Sequence, residues 1–510
     1  MSNKTLVLNG TSLTIQDIIN VSRHGYIIEL DKKAEALVNE CSESVEEWVK
    51  EGRVVYGITT GFGDLATVVI PNEKSKKLQE NLLISHACGF GEELPIDYVR
   101  AIMLLRINTL IRGYSGITLK TLNRLVEYLN LGVHPVIPRQ GSVGASGDLC
   151  PLSHLAISLL GYGLVNYKDK KISALEAMKL LDLEPVELMP KEGLALNNGT
   201  TVMTAIAALC VYDAEHIVKT ADIVASMSAE ALHAVPYAFD ARTHMLRPQI
   251  GQIQVAENIR RLIDGSEIIE SFKKDRVQDA YSLRCIPQVH GASKDAFNYV
   301  WEKVDIEINS VTDNPIIFHK DCEAISGGNF HGQPIAMAMD FLGIAMAELA
   351  NISERRIARL VDNKLSGLPP FLVSDSGLNS GFMIPQYTAA AIVSENKVLA
   401  HPSCVDSIPT SAGQEDHVSM GGYSAYKGRN IVENTARVIA IEMLVAAQGI
   451  DFRAPLIPGK GTGVAFKEFR KHIHFYEKDE YMQPLMLKSL ELVKNNTILD
   501  AVESAIGKLN

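Results

Sequence analysis

Apolar residues recur at helical spacing over most of the chain. Apolar positions set against Lys and Glu predict amphipathic helices over about 31–51, 73–90, 95–113 and 117–131. A different pattern begins at Pro334, a good first helical residue, where Ile335, Met339, Leu342, Met346 and Leu349 repeat in steps of three and four. The other faces of that segment are also largely apolar through Ala350, and stretches of about 200–224 and 418–448 share this character. Helices that are apolar all round belong inside a bundle. Three of them exceed what one small bundle needs, which suggests a core shared between neighbouring subunits, with a single large monomeric bundle as the other reading. Strand signals are short. Residues 5–13 alternate around Asn9-Gly10 and predict a hairpin, and hairpin-like pairs are predicted at 163–172 and 316–325. The tail after Pro458 is more charged and less patterned, and reads as a peripheral helical extension. The predicted fold is mainly α: an elongated central bundle of long helices with a smaller mixed N-terminal part containing short strands. The expected division is 1–197 and 198–510.

Composition narrows the function classes. Of 510 residues, 46% are hydrophobic, enough for a large core, and 49 basic against 60 acidic residues give a net charge of −11. That balance argues against binding to nucleic acid or an anionic membrane surface. Seven scattered cysteines, odd in number and never spaced Cys-x-x-Cys, suggest neither a disulfide framework nor a zinc or other metal site. The segment Met1–Thr5 lacks the apolar core of a signal peptide, and Asp340 and Glu348 interrupt the apolar helices. A soluble protein of the reducing cytoplasm is expected.

Candidate chemistry centres on Gly141-Ser142-Val143-Gly144-Ala145-Ser146-Gly147-Asp148, which precedes a helical pattern over 149–164. Read alone, Ser146 or Asp148 caps that helix and the glycines make a turn. A phosphate-cradling loop fits poorly, since no Gly-Lys-Ser/Thr follows. Small residues also permit a rarer outcome, in which the Gly147 nitrogen attacks the Ala145 carbonyl and Ser146 then loses water to leave a conjugated exocyclic methylene. Gly-Ala-Ser-Gly-Asp-Leu-Cys-Pro-Leu-Ser-His resembles the segment from which the aromatic amino acid lyases and aminomutases build 4-methylidene-imidazol-5-one (MIO). The resemblance implies MIO formed from Ala145, Ser146 and Gly147, with no external cofactor and with Asp148 assisting cyclisation.

Further segments extend the resemblance. Tyr56-Gly-Ile-Thr-Thr-Gly-Phe-Gly63 would by itself be a turn with a packed tyrosine; it is similar to the family's lid, which makes Tyr56 the base. Gln278-Asp-Ala-Tyr281-Ser-Leu-Arg284-Cys contains an arginine and a tyrosine three residues apart, a surface pair when read alone. In the family this run binds substrate, so Arg284 becomes the carboxylate clamp, with Gln278 beside it and Tyr281 among the catalytic residues. The Asn of Asn198-Gly-Thr would donate to the MIO carbonyl, and Asn197 stands where many members have an apolar residue. Phe330, in Gly-Asn-Phe-His-Gly, would pack beside the cofactor.

Two segments bear on the substrate. Ser85-His86 and Gln414-Glu415-Asp-His-Val-Ser-Met resemble the branch of the family that acts on histidine, although Gly413 replaces the usual Asn. A carboxylate at 415 can accept an imidazole N–H and would be poorly matched to a phenyl ring. Met383 is a plausible apolar wall. The resemblance thus implies elimination of ammonia from L-histidine to give trans-urocanate, in a homotetramer with shared active sites. Glu415 is the rival base to Tyr56, and the substrate could join MIO through its amine or its ring. A tyrosine- or phenylalanine-directed lyase or aminomutase, and an inactive helical scaffold, stand as the alternatives.

Overall fold

The computed structural model describes residues 4–510, which form two compact units. The first comprises the chain up to Leu209 together with Trp301–Asp340 and Pro402–Tyr426. The second comprises Cys210–Val300, Phe341–His401 and Lys427–Asn510. The division is thus not the sequential one expected at 197/198, because two later segments return to the N-terminal part.

In the first unit, helices Ile15–Ser22, Lys32–Lys50, Ser75–His86, Ile96–Leu110, Leu119–Leu131 and Leu149–Ser158 carry the N-terminal core. Ile96–Leu110 is buried on every face from Ala101 onward, with Ile102, Met103, Leu104 and Ile107 wholly inaccessible. The hairpin expected over residues 5–13 does not form. Thr5–Leu8 instead pairs in parallel with Ile27–Leu30, in register Thr5↔Ile27 to Leu8↔Leu30. The Asn9 side chain accepts from the backbone of Thr11 and Ser12, and Thr14 with Asp17 makes a capping box that starts a helix directly after the expected second strand. The pairs Leu164–Tyr167 with Lys170–Ser173 and Ile316–Phe318 with Glu323–Ile325 are antiparallel hairpins, as the alternation predicts.

The second unit holds most of the length of four long helices, Thr201–Ala231, Ile286–Glu307, Gln333–Val361 and Gly421–Asp451. Three match the apolar segments; Ile286–Glu307 was masked by its mixed composition. Ile335, Met339, Leu342, Met346 and Leu349 are all fully buried, as their spacing requires. Thr201–Ala231 and Gln333–Val361 are long and apolar enough to cross a membrane, and most of their apolar stretch is buried inside the protein. One buried polar cluster in this core is well paired: Glu442 accepts from Arg356 Nε at 2.5 Å, Ser228 Oγ at 2.6 Å and Ser353 Oγ at 2.6 Å. The tail after Pro458 is the helical extension expected of it. It forms helices Lys460–His472, Gln483–Lys494 and Thr497–Ile506, and buries Phe469, Leu492, Ile498 and Val502.

Candidate active site

The loop before Leu149 is held by backbone contacts that only glycine permits. Gly147 has φ +70°, and a Cβ there would lie 2.1 Å from the carbonyl oxygen of Gly199. The two glycines form a parallel bridge, with Asp148 N donating to Gly199 O at 2.8 Å and Gly199 N to Ser146 O at 3.3 Å. Gly199 is equally confined, since a Cβ there would meet Thr312 O at 2.1 Å. From the far side, Ser419 Oγ donates to Gly144 O at 3.0 Å and Met420 N to Val143 O at 2.8 Å.

Asp148 makes no side-chain cap on the helix that follows it, which ends at Ser158 rather than at 164. Its carboxylate accepts from Val202 N and Met203 N, both at 2.9 Å, and from Ser142 Oγ at 2.9 Å. It therefore serves the open N–H groups of a different helix, Thr201–Ala231. Burial pushes its pKa up to about 6, against the opposing effect of these three donors.

Around the loop lies a cavity of about 540 Å³. Tyr56, His86, Ser146, Asn198 and Glu415 all line it, with Leu65, Leu82, Leu149 and Leu194 among its apolar walls. Ser146 Oγ donates to Glu415 Oε1 at 3.3 Å, and Thr410 Oγ1 donates to Glu415 Oε2 at 2.7 Å. Tyr56 Oη accepts from Gly63 N at 3.1 Å, which fixes the tyrosine to its own loop. Ser85 Oγ lies 3.0 Å from His86 Nδ1, and burial lowers the pKa of the His86 ring while Glu415 opposes that effect. Among the described residues, no group of His, Cys, Asp and Glu is placed to hold a metal ion.

Asn198 is held from below. Its Nδ2 donates to Asp313 Oδ1 at 3.2 Å and to Asn314 O at 3.0 Å, while its buried Oδ1 has no partner. Asp313 is in turn paired with Lys191 Nζ at 2.9 Å, both side chains fully buried. Arg106, also fully buried, donates to Asn198 O at 2.9 Å and Thr201 Oγ1 at 3.3 Å. Asn197 donates to Ser153 Oγ at 3.1 Å, which settles its place in this packing. Arg106, Lys191, Asp313 and Asn314 were missed by sequence reasoning. A charge at a core position of an apolar helix, as at Arg106, was the only available signal.

The remaining predicted residues do not line this cavity. Gln414 is exposed and Phe330 half-buried, both in the first unit. Gln278, Tyr281, Arg284 and Met383 belong to the second unit. There Tyr281–Arg284 forms one helical turn, with the Arg284 guanidinium 4.5 Å from the Tyr281 ring centroid and its Nε without a partner.

A family model described as aromatic amino acid lyase matches residues 13–471. The chain belongs to that family. The mainly α fold and the carbon–nitrogen lyase class expected for it are the family's own. A histidine ammonia-lyase of Alkaliphilus oremlandii is 55% identical over 503 residues, covering 99% of each chain. The solved histidine ammonia-lyase of Trypanosoma cruzi has a TM-score of 0.92 at 41% identity, over 98% of this chain and 96% of that one. A tyrosine aminomutase of Streptomyces globisporus has a TM-score of 0.93 at 35% identity, over 99% and 100%. The family fold is thus common to proteins named for different amino acids, and substrate choice has to be argued from side chains.

Proposed function

We propose that this chain eliminates ammonia from L-histidine to give trans-urocanate, the first step of histidine degradation. The observation that carries this reading is the single cavity in which Ser146, Tyr56, His86, Asn198 and Glu415 meet. Ala145, Ser146 and Gly147 cyclise to MIO with loss of two waters. The bent backbone at Gly147, its close approach to Gly199 and the Ser146 side chain at the cavity wall fit that cyclisation. The ring supplies an electrophile that eases departure of a poor leaving group.

The chain's own residues do the rest. His86 and Glu415 are the imidazole-recognising pair: Glu415 accepts an imidazole N–H, and a neutral His86 offers one ring nitrogen as donor or acceptor. Tyr56 takes the β-proton, with Glu415 as the alternative base. Asn198 supports the electrophile's carbonyl by turning one N–H away from Asn314, while Asp313 and Lys191 hold its position. Asp148 assists cyclisation. Gln278, Tyr281, Arg284, Met383, Gln414 and Phe330 complete the carboxylate clamp and pocket in a homotetramer with shared sites, and the enzyme works in the cytoplasm.

The test pairs two measurements on the purified protein. Intact mass should be about 36 Da below that of the unmodified chain, the loss of two waters. Incubation with L-histidine should generate the ultraviolet absorbance of a conjugated product. An unreduced mass defeats the cyclisation, and turnover of L-tyrosine or L-phenylalanine in place of L-histidine defeats the substrate assignment.

A further inference from the structure

Two cysteines that the chemistry above does not use lie on adjoining elements beside the cavity. The helix Ser75–His86 stops at His86, and the chain turns through Ala87, Cys88 and Gly89, with Cys88 N donating to His86 O at 3.0 Å. This turn rests on the helix Leu149–Ser158. Gly89 N donates to His154 Nε2 at 2.9 Å. Cys150 lies four residues before His154 and therefore on the same helical face. The Cys88 thiol donates to His86 O at 3.5 Å, and Cys88 lies near enough to the Cys150 thiol to perturb it. Gly141 closes the third side: a Cβ there would fall 2.5 Å from Cys150 Sγ and 3.3 Å from Gly89 Cα. Cys88 is exposed and Cys150 is 7% exposed. His86, two residues before one thiol, and Leu149, directly before the other, both line the cavity.

We propose that Cys88 and Cys150 are a reversible redox site, which peroxide oxidises to a disulfide joining the turn after His86 to the helix that follows the Gly147 loop. The Cys88 thiolate attacks one peroxide oxygen, the O–O bond breaks, and Cys88 becomes a sulfenic acid as the first water leaves. Cys150 sulfur then attacks the Cys88 sulfur, the S–O bond breaks, the S–S bond forms and a second water departs. The two sulfurs lose two electrons and one hydrogen peroxide becomes two waters. Exposure makes Cys88 the first to react. Burial pushes the Cys150 thiol up to about 11, which keeps it unreactive until a sulfenic acid forms beside it. A disulfide requires a sulfur separation of about 2.05 Å, shorter than any thiol contact. Closing that gap pulls His86 and Leu149 out of register with each other, so the linked form loses turnover. That consequence rests on the proposed lyase reading, whereas formation of the bond does not.

The test treats the intact, full-length protein with hydrogen peroxide, alkylates the remaining thiols and maps the peptides. The expected result is a mass about 2 Da lower, a Cys88–Cys150 linked peptide reversed by dithiothreitol, and no such peptide in Cys88→Ser or Cys150→Ser. L-Histidine turnover should fall in the linked protein and return on reduction, while Cys150→Ser keeps its activity through the same treatment. Absence of the linked peptide from folded, peroxide-treated protein overturns the site. Unchanged turnover in fully linked protein overturns its control of the reaction. Failure of the lyase reading would show separately, as a reduced protein that never turns over L-histidine.

Discussion

Asp148 illustrates how one buried carboxylate is pulled in two directions. Three donors favour its charge, and burial, the larger effect, raises its pKa to about 6. The folded chain therefore holds this proton more tightly than the unfolded chain, where an aspartate titrates near about 3.9. Stability from the neutral form is fully present below that lower value and is lost as pH rises through about 6. Asp148→Asn keeps an acceptor for Val202 and Met203, can donate to Ser142, and cannot titrate. Urea denaturation between pH 4 and 6.5 should show the wild type falling behind the variant by roughly 2 kcal/mol. A difference that stays constant with pH refutes the assignment. At His86, burial lowers the ring pKa, so the side chain is neutral at pH 7. His86→Leu should raise KM for L-histidine by about tenfold or more with a smaller change in kcat, as expected for lost substrate binding. An unchanged KM would remove His86 from the recognition site. Both residues were legible in the sequence as members of motifs. The cap that Asp148 supplies to a helix beginning at Thr201 was not, because only the fold brings Gly147 against Gly199.

Elements were legible where periodicity was strong and misleading where a local polar interaction took over. The all-round apolar run after Pro334 is buried as its pattern demands, whereas Asn9-Gly10 carries a hairpin signal that the Thr14–Asp17 capping box overrides. The tail looked unpatterned because its helices are short and joined by charged turns, yet each has an apolar face. The junction between the Gly147 loop and the helix Thr201–Ala231 is the least forgiving of these connections. At Gly199, φ is +135° and a Cβ would collide with the backbone oxygen of Thr312, which has no rotamer by which to retreat. Gly199→Ala should therefore cost about 3 kcal/mol or more in urea or thermal unfolding. It should also leave a larger fraction of the protein at the undehydrated mass, because Ser146 O loses its Gly199 N–H partner. A variant of wild-type stability would show that the junction can relax.

At the scale of the whole molecule, two observations point to assembly. Met337, Phe341 and Ile344 follow one another at helical spacing on Gln333–Val361 and are 52%, 43% and 43% exposed, so the helix carries an apolar stripe opposite its buried face. The cavity also lacks a cation for a substrate carboxylate among its lining residues, while Arg284 has an Nε without a partner. Both are met if a neighbouring copy covers the stripe and contributes Arg284 to the site, which complementation can test. Tyr56→Phe and Arg284→Ala should each abolish turnover alone. If one site draws Tyr56 from one chain and Arg284 from another, mixed oligomers contain sites in which both residues are wild type. Random assembly of equal amounts should then restore about a quarter of wild-type activity, because each of two independent chains must be of the right kind. A site built within one chain restores nothing, since every chain carries one lesion. Co-expression with two different affinity tags, followed by tandem purification and an L-histidine assay, distinguishes these outcomes. Light scattering on the same sample should give four times the mass of one chain, and a monomer would exclude shared sites.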